Sequence, residues 1–128
     1  MVTPSEITLV ACGGAFGATM RFLVGRVSDT YLTSVRFPLA TLLINILGCF
    51  AIGLIAELSA RGDISSHTRL LIVTGILGGF TTFSAFGLET ISLLRSGHVG
   101  VALIYVISSV VGGCLATYAG IVMLAPRA

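Results

Sequence analysis

An all-α integral membrane protein, with four transmembrane helices and the third of them broken near the bilayer midplane, is the fold class this sequence predicts. Three observations carry it. Of 128 residues, 55% are hydrophobic and 9% charged, with mean hydropathy +1.08. Soluble domains average about 25% charged residues, so this chain has too few charges to cover a water-facing surface. The apolar residues gather into four runs, at about 7–24, 38–58, 70–94 and 99–124. Each meets the ~20 residues that cross ~30 Å of hydrocarbon. Finally, the third run contains Gly78-Gly79-Phe80-Thr81-Thr82-Phe83-Ser84-Ala85-Phe86. Glycines and hydroxyl residues at that depth free backbone carbonyls that lipid cannot satisfy, so a break there must line a protein-enclosed or aqueous site. Only short connections remain, and residues 1–128 read as one four-span membrane domain.

The first span is a small-residue helix. Gly13 and Gly17 stand four apart among Ala11, Gly14, Ala15 and Ala18, a spacing that lets helices approach closely in lipid. Arg21 follows one turn later, and two readings stay open for it: snorkelling to the interface or pairing inside the bundle. No Lys or Arg precedes it, so a secretory signal is not expected. The second span opens on Pro38, which a first helical turn tolerates. Thr41 and Asn45 lie at i and i+4 and share a face. Asn45 is about 10 Å inside the span. A primary amide there either bonds a neighbouring helix or presents its NH2 donors to a permeating anion.

In the third span Phe83 and Phe86 follow the break at i and i+3, with Thr82 and Ser84 beside them. Glu89 is either a solvated span end or a functional intramembrane acid. The fourth span carries Tyr105, Ser109, Gly113 and Thr117 at successive i+4 steps. They form one polar stripe about 18 Å long. Back-bonding of hydroxyls to i−4 carbonyls is the bland alternative. Cys12, Cys49 and Cys114 all lie within spans and read as small packing residues. His67 and His98 sit in loops without metal-ligand spacing.

All seven basic residues are arginines. Four spans place Arg61, Arg69 and Arg127 on one side and Arg21, Arg26, Arg36 and Arg95 on the other. Orientation follows the excess of basic residues in cytoplasmic loops. A split of three against four hardly chooses, and the expectation is a chain that inserts both ways up.

Three segments together, Gly13 to Phe22 (GGAFGATMRF), Thr41 to Gly53 (TLLINILGCFAIG) and Gly75 to Phe86 (GILGGFTTFSAF), resemble the Fluc (CrcB-type) family of fluoride channels. The resemblance covers the whole chain, and the TTFS-x-F segment is its most specific part. It implies an antiparallel, dual-topology homodimer with two pores, exporting cytoplasmic fluoride by passive electrodiffusion across a prokaryotic plasma (inner) membrane. Carried over by motif, Asn45, Thr82, Phe83, Ser84, Phe86, Tyr105, Ser109 and Thr117 would line the fluoride path. A structural sodium ion would rest on the backbone carbonyls of Gly78 and Thr81 from both subunits. Fluoride, a second copy and lipid are the implied partners, with no nucleic acid among them. Gly113 and Ala85 depart from the family, whose members often carry serine and threonine there.

These residue types suit a small, strongly hydrated anion. Hydroxyls and an amide replace water with hydrogen-bond donors. Phenyl rings present positive edges, and weak binding permits exit. A small multidrug exporter would need a midplane acid in the first span, whereas Glu6 precedes that span. A purely assembling subunit would explain the small residues but not the polar break. Nothing in the sequence resembles a nucleophile–base pair or a phosphate loop, so enzyme activity is not expected.

Overall fold

Hydrocarbon leaves the backbone no partners but its own, and the chain answers with helices almost throughout. The computed structural model describes residues 2–31 and 37–125. Helix α1 spans Pro4–Tyr31 and α2 spans Leu39–Ala60. The third crossing is composite: α3 (Ser66–Arg69), a π-helical stretch (Leu70–Leu77), α4 (Gly78–Phe80) and, after a break, α5 (Phe83–Arg95). Helix α6 spans Val99–Leu124. Four stretches are long and apolar enough to cross a membrane: Pro4–Ser28, Leu39–Ala60, Ser66–Arg95 and Val99–Leu124. The first extends beyond the expected 7–24 at both ends. Arg36 and Arg127, two of the arginines in the charge comparison, lie outside the described residues.

Local chemistry sets the ends. A capping box opens α1: the Glu6 amide donates to Thr3 Oγ1 at 3.3 Å, and the Thr3 amide donates to Glu6 Oε2 at 2.7 Å. Two glycines close helices in the left-handed region, Gly62 at φ 77° and Gly97 at φ 79°. After α2, the Gly62 amide donates to Ser59 O and the Asp63 amide to Leu58 O. After α5, the Gly97 and His98 amides bond Leu94 O and Leu93 O in the same way. Both ends are Schellman motifs, whose left-handed position favours a residue without Cβ.

Packing follows the glycines. Helix α1 lies along the third crossing. A Cβ on Gly13 would stand 2.7 Å from Leu71 O, and one on Gly17 would collide with Ile76 O. The partners are themselves bare: a Cβ on Gly75 would be 3.0 Å from Gly13 Cα, and one on Gly79 would strike Gly14 O. The expected small-residue face of the first span therefore meets a second such face on the third. Helices α2 and α6 pair likewise, with Gly53 against Thr117 O and Gly120 against Phe50 O. Backbone approach of this kind supplies the dispersion contact that holds helices together in lipid, where apolar burial offers no driving force.

The third crossing is broken as the sequence predicts, and the break falls at Thr81 and Thr82, both extended (ψ 158° and φ −150°). The π-helical turns of Leu70–Leu77 just before it were not expected. Their sequence, LLIVTGIL, carries no Pro or charged residue to mark them.

Because Gly17 meets backbone rather than a yielding side chain, Gly17→Leu should destabilise the fold by about 1–3 kcal/mol or more, the range for overpacking. Gly87 has nothing within 4 Å of a Cβ, and Gly87→Ala should leave thermal unfolding in detergent unchanged or slightly raised. Equal unfolding temperatures for the two variants would contradict the packing described here.

Candidate functional site

At the break the backbone leaves the helical ladder, and side chains from other helices replace the lost partners. Asn45 on α2 makes both bonds of a two-point clamp. Its Nδ2 donates to Thr82 O at 3.0 Å, and its Oδ1 accepts from the Thr82 amide at 2.8 Å. Of the two readings open for this amide, the bond to a neighbouring helix is realised, and one N–H of the NH2 group remains for other use. From α1, Arg21 Nη1 donates to Thr81 O at 3.4 Å, so its guanidinium faces the protein interior rather than only the interface. Thr82 Oγ1 then caps α5 by accepting from the Ala85 amide at 3.2 Å, and it lies 3.3 Å from Ser84 Oγ.

The sodium ion expected on the Gly78 and Thr81 carbonyls is corrected by these findings. Among the described residues no group of three His, Cys, Asp or Glu could hold a metal ion. The Thr81 carbonyl instead receives a cationic side chain, Arg21, which brings positive charge to the break covalently.

About two turns beyond the break, the third crossing holds a second tie. Glu89 accepts from Thr41 Oγ1 at 2.7 Å and from Tyr105 OH at 2.6 Å. Its carboxylate thus joins α2, α5 and α6. Tyr105 is wholly buried, at 0% exposure, and Thr41 is 7% exposed. Short hydroxyl-to-carboxylate bonds of this type are among the strong ones. The shared face of Thr41 and Asn45 was legible, but its two partners on the third crossing were not.

Aromatic rings run outward from Tyr105. Phe37 meets it edge-on, at 5.5 Å between centroids and 81° between planes. Phe86 lies 5.3 Å from Tyr105, and Phe83 lies 5.4 Å from Phe86. Phe83, first residue of α5, is 83% exposed.

An open groove of about 740 Å³ runs beside the break. Asn45, Thr82, Phe83, Phe86, Ser109 and Thr117 line it, as do Gly78 and Thr81. Most sequence-selected residues are therefore brought to one surface. Ser84 and Tyr105 are not in that lining: Ser84 stays at the cap of α5, and the Tyr105 hydroxyl is given to Glu89. Of the polar stripe, Ser109, Gly113 and Thr117 share the groove. Ser109 Oγ is buried there with no hydrogen-bond partner among the described residues. Gly113 leaves room for Cys49 Sγ, 3.3 Å from where its Cβ would stand.

A family profile described as "CrcB-like protein, Camphor Resistance (CrcB)" matches residues 8–121. The chain belongs to the CrcB family. Among its relatives, the fluoride-specific ion channel FluC of Methylobacillus flagellatus is 48% identical over 116 residues, covering 90% of this chain and 91% of that one. The protein of the same name from Agrobacterium fabrum is 47% identical over 119 residues, covering 92% and 94%. That from Prosthecochloris aestuarii is 43% identical over 120 residues, covering 93% and 92%. CrcB relatives bear the names of ion channels; the chain is a multi-pass membrane protein of a family of channels, not of enzymes.

Two substitutions probe the ties. Asn45→Ala should orphan the Thr82 N–H and C=O, at about 1–3 kcal/mol for each group left unpaired. Accelerated hydrogen exchange at the Thr82 amide would report it, and exchange as slow as in the unaltered chain would contradict the clamp. A double-mutant cycle between Glu89→Gln and Tyr105→Phe should give a coupling of about 0.5–3 kcal/mol, as for residues in direct contact. Additive effects on unfolding would mean that the 2.6 Å bond contributes nothing.

Proposed function

We propose that the chain is a fluoride-specific ion channel that exports cytoplasmic fluoride by passive electrodiffusion. Two copies would insert antiparallel in the plasma (inner) membrane of a prokaryote, with two pores per dimer. The names of the relatives support the substrate. The observation that carries the reading is Ser109 Oγ, a buried hydroxyl without a partner in the lining of a groove that also holds Asn45, Phe83, Phe86 and Thr117. A donor held unsatisfied inside a membrane protein costs free energy, and an anion sharing the groove would satisfy it.

In this mechanism fluoride exchanges water for fixed donors: the Ser109 and Thr117 hydroxyls and the uncommitted N–H of Asn45. The edges of Phe83 and Phe86 add weak attraction without a fixed counter-charge, so the ion is not trapped. Arg21, beside the Thr81 carbonyl, offsets part of the cost of an anion in low dielectric. Glu89 is engaged by two O–H donors and acts as a tie between helices. No group needs to change protonation for the ion to pass.

The antiparallel dimer rests on two supports. One is the near-even arginine split in the sequence. The other is the open groove itself, whose rim carries Phe83 at 83% and Tyr118 at 66% exposure beside a break in the backbone. Polar groups at such depth need protein or water against them rather than lipid, and a second copy is the occupant the reading supplies.

Liposomes loaded with fluoride and carrying the purified chain should empty once potassium flux is supported by an ionophore, while chloride-loaded ones should not. Equal chloride efflux would sink the assignment. Phe83→Ile and Phe86→Ile keep apolar bulk without a ring edge, and each should slow fluoride efflux about tenfold, the equivalent of ~1.4 kcal/mol. A reporter fused to the C-terminus should be found on both sides of the membrane; a reporter confined to one side would refute dual topology.

A further inference from the structure

A second cavity, of about 320 Å³, opens between the end of α2 and the start of the third crossing. Conduction makes no use of it. Ser59 comes from α2, and Ser66, Arg69, Leu70, Val73 and Thr74 come from the third crossing. Its position is at a membrane boundary: Arg69 ends α3, and Leu70 begins the apolar π-helical stretch. The cavity thus combines one arginine and three hydroxyl residues with two apolar side chains, Leu70 and Val73.

The one charge in the lining is uncommitted. The Arg69 side chain is exposed and has no hydrogen-bond or ion-pair partner among the described residues. Its neighbour Arg61 differs, with Nε held 3.3 Å from Glu57 Oε1. Neither carboxylate of this connection opposes an anion in the cavity: Glu57 is occupied by Arg61, and Asp63 is not in the lining. Basic pockets between transmembrane helices at the membrane face receive anionic headgroups.

We propose that this cavity binds the headgroup phosphate of an anionic phospholipid. Arg69 donates to the phosphate oxygens through its planar fork, which suits phosphate better than a point charge does. The Ser59 and Ser66 hydroxyls, also in the lining, donate to it as well. An acyl chain continues over Leu70 and Val73. A soluble phosphate would gain nothing from those two residues, which is why the lipid is the occupant. The reading is independent of fluoride conduction.

The test uses the full purified chain in detergent, with phosphatidylglycerol, phosphatidylcholine or inorganic phosphate added. Native mass spectrometry counts retained lipid, and thermal unfolding reports stabilisation. Phosphatidylglycerol should be retained and should raise the unfolding temperature, whereas phosphatidylcholine and inorganic phosphate should do neither. Arg69→Gln should weaken phosphatidylglycerol retention about fivefold, as expected for one basic residue at a membrane surface, and Arg69→Lys should lose less. Arg95→Gln removes another exposed arginine that lies outside the cavity, and retention should be unchanged. Full retention by Arg69→Gln, or equal loss in Arg95→Gln, would overturn the proposal. So would protection by inorganic phosphate as strong as by the lipid, which would mark a soluble-anion site instead.

Discussion

The structure turns on two extended residues, Thr81 and Thr82, in the middle of an apolar crossing. A backbone that leaves the helix inside hydrocarbon must find other partners, at several kcal/mol for each group that does not. Asn45 meets that demand at Thr82 with both ends of one amide, and Arg21 reaches Thr81. The break is therefore tied to both of its neighbours, α1 and α2. A hydrophobic side chain at position 45 would leave the break without its clamp. The polar residues of the spans are explained first by this constraint and only then by permeation.

Around the break the bundle is built from two close pairs, α1 with the third crossing and α2 with α6. Each pair is brought together by glycines whose missing Cβ atoms let backbones touch: Gly13, Gly17, Gly75 and Gly79 in one, Gly53 and Gly120 in the other. Between the pairs lie an apolar cluster around Leu42, Leu93, Ala102 and Tyr105 and a set of polar ties. The clamp of Asn45 and the carboxylate of Glu89, which accepts from Thr41 and Tyr105, hold the second pair to the third crossing. The glycine faces set which sides of the helices meet, and these hydrogen bonds further fix rotation and height. That division of labour leaves Phe83 and Phe86 set in place beside the groove, at 5.4 Å from each other.

Charge in the spans is sparse, and it is arranged in complementary ways. Arg21 stands at a carbonyl of the break, and Glu89 stands between two hydroxyl donors. In low dielectric each of these would be costly alone. Their partners are neutral dipoles, so neither charge is cancelled and both still act on their surroundings. The bound sodium ion was implied by the family resemblance, on the carbonyls of Gly78 and Thr81, without asking which side chain from another helix would reach the break. Arg21 had been left between an interfacial and an interior role, and its interior contact answers part of the same need.

Composition and spacing alone determined a good deal. Hydropathy gave the number of crossings, because the length of an apolar run is a local property. Glycines and threonines marked the break, and the small-residue face at Gly13 and Gly17 marked a close helix contact. Residue spacing also put Thr41 and Asn45 on one face, and Ser109, Gly113 and Thr117 on another. Their partners were decided only by the fold. That Asn45 spends two bonds on Thr82, that Glu89 joins Thr41 to Tyr105, and that Gly75 and Gly79 face α1 are contacts between residues far apart in the chain. Helical periodicity says which face a residue occupies but not which helix lies opposite, at what height, or at what rotation. Those are set when helices settle against one another to satisfy backbone groups that lipid leaves bare.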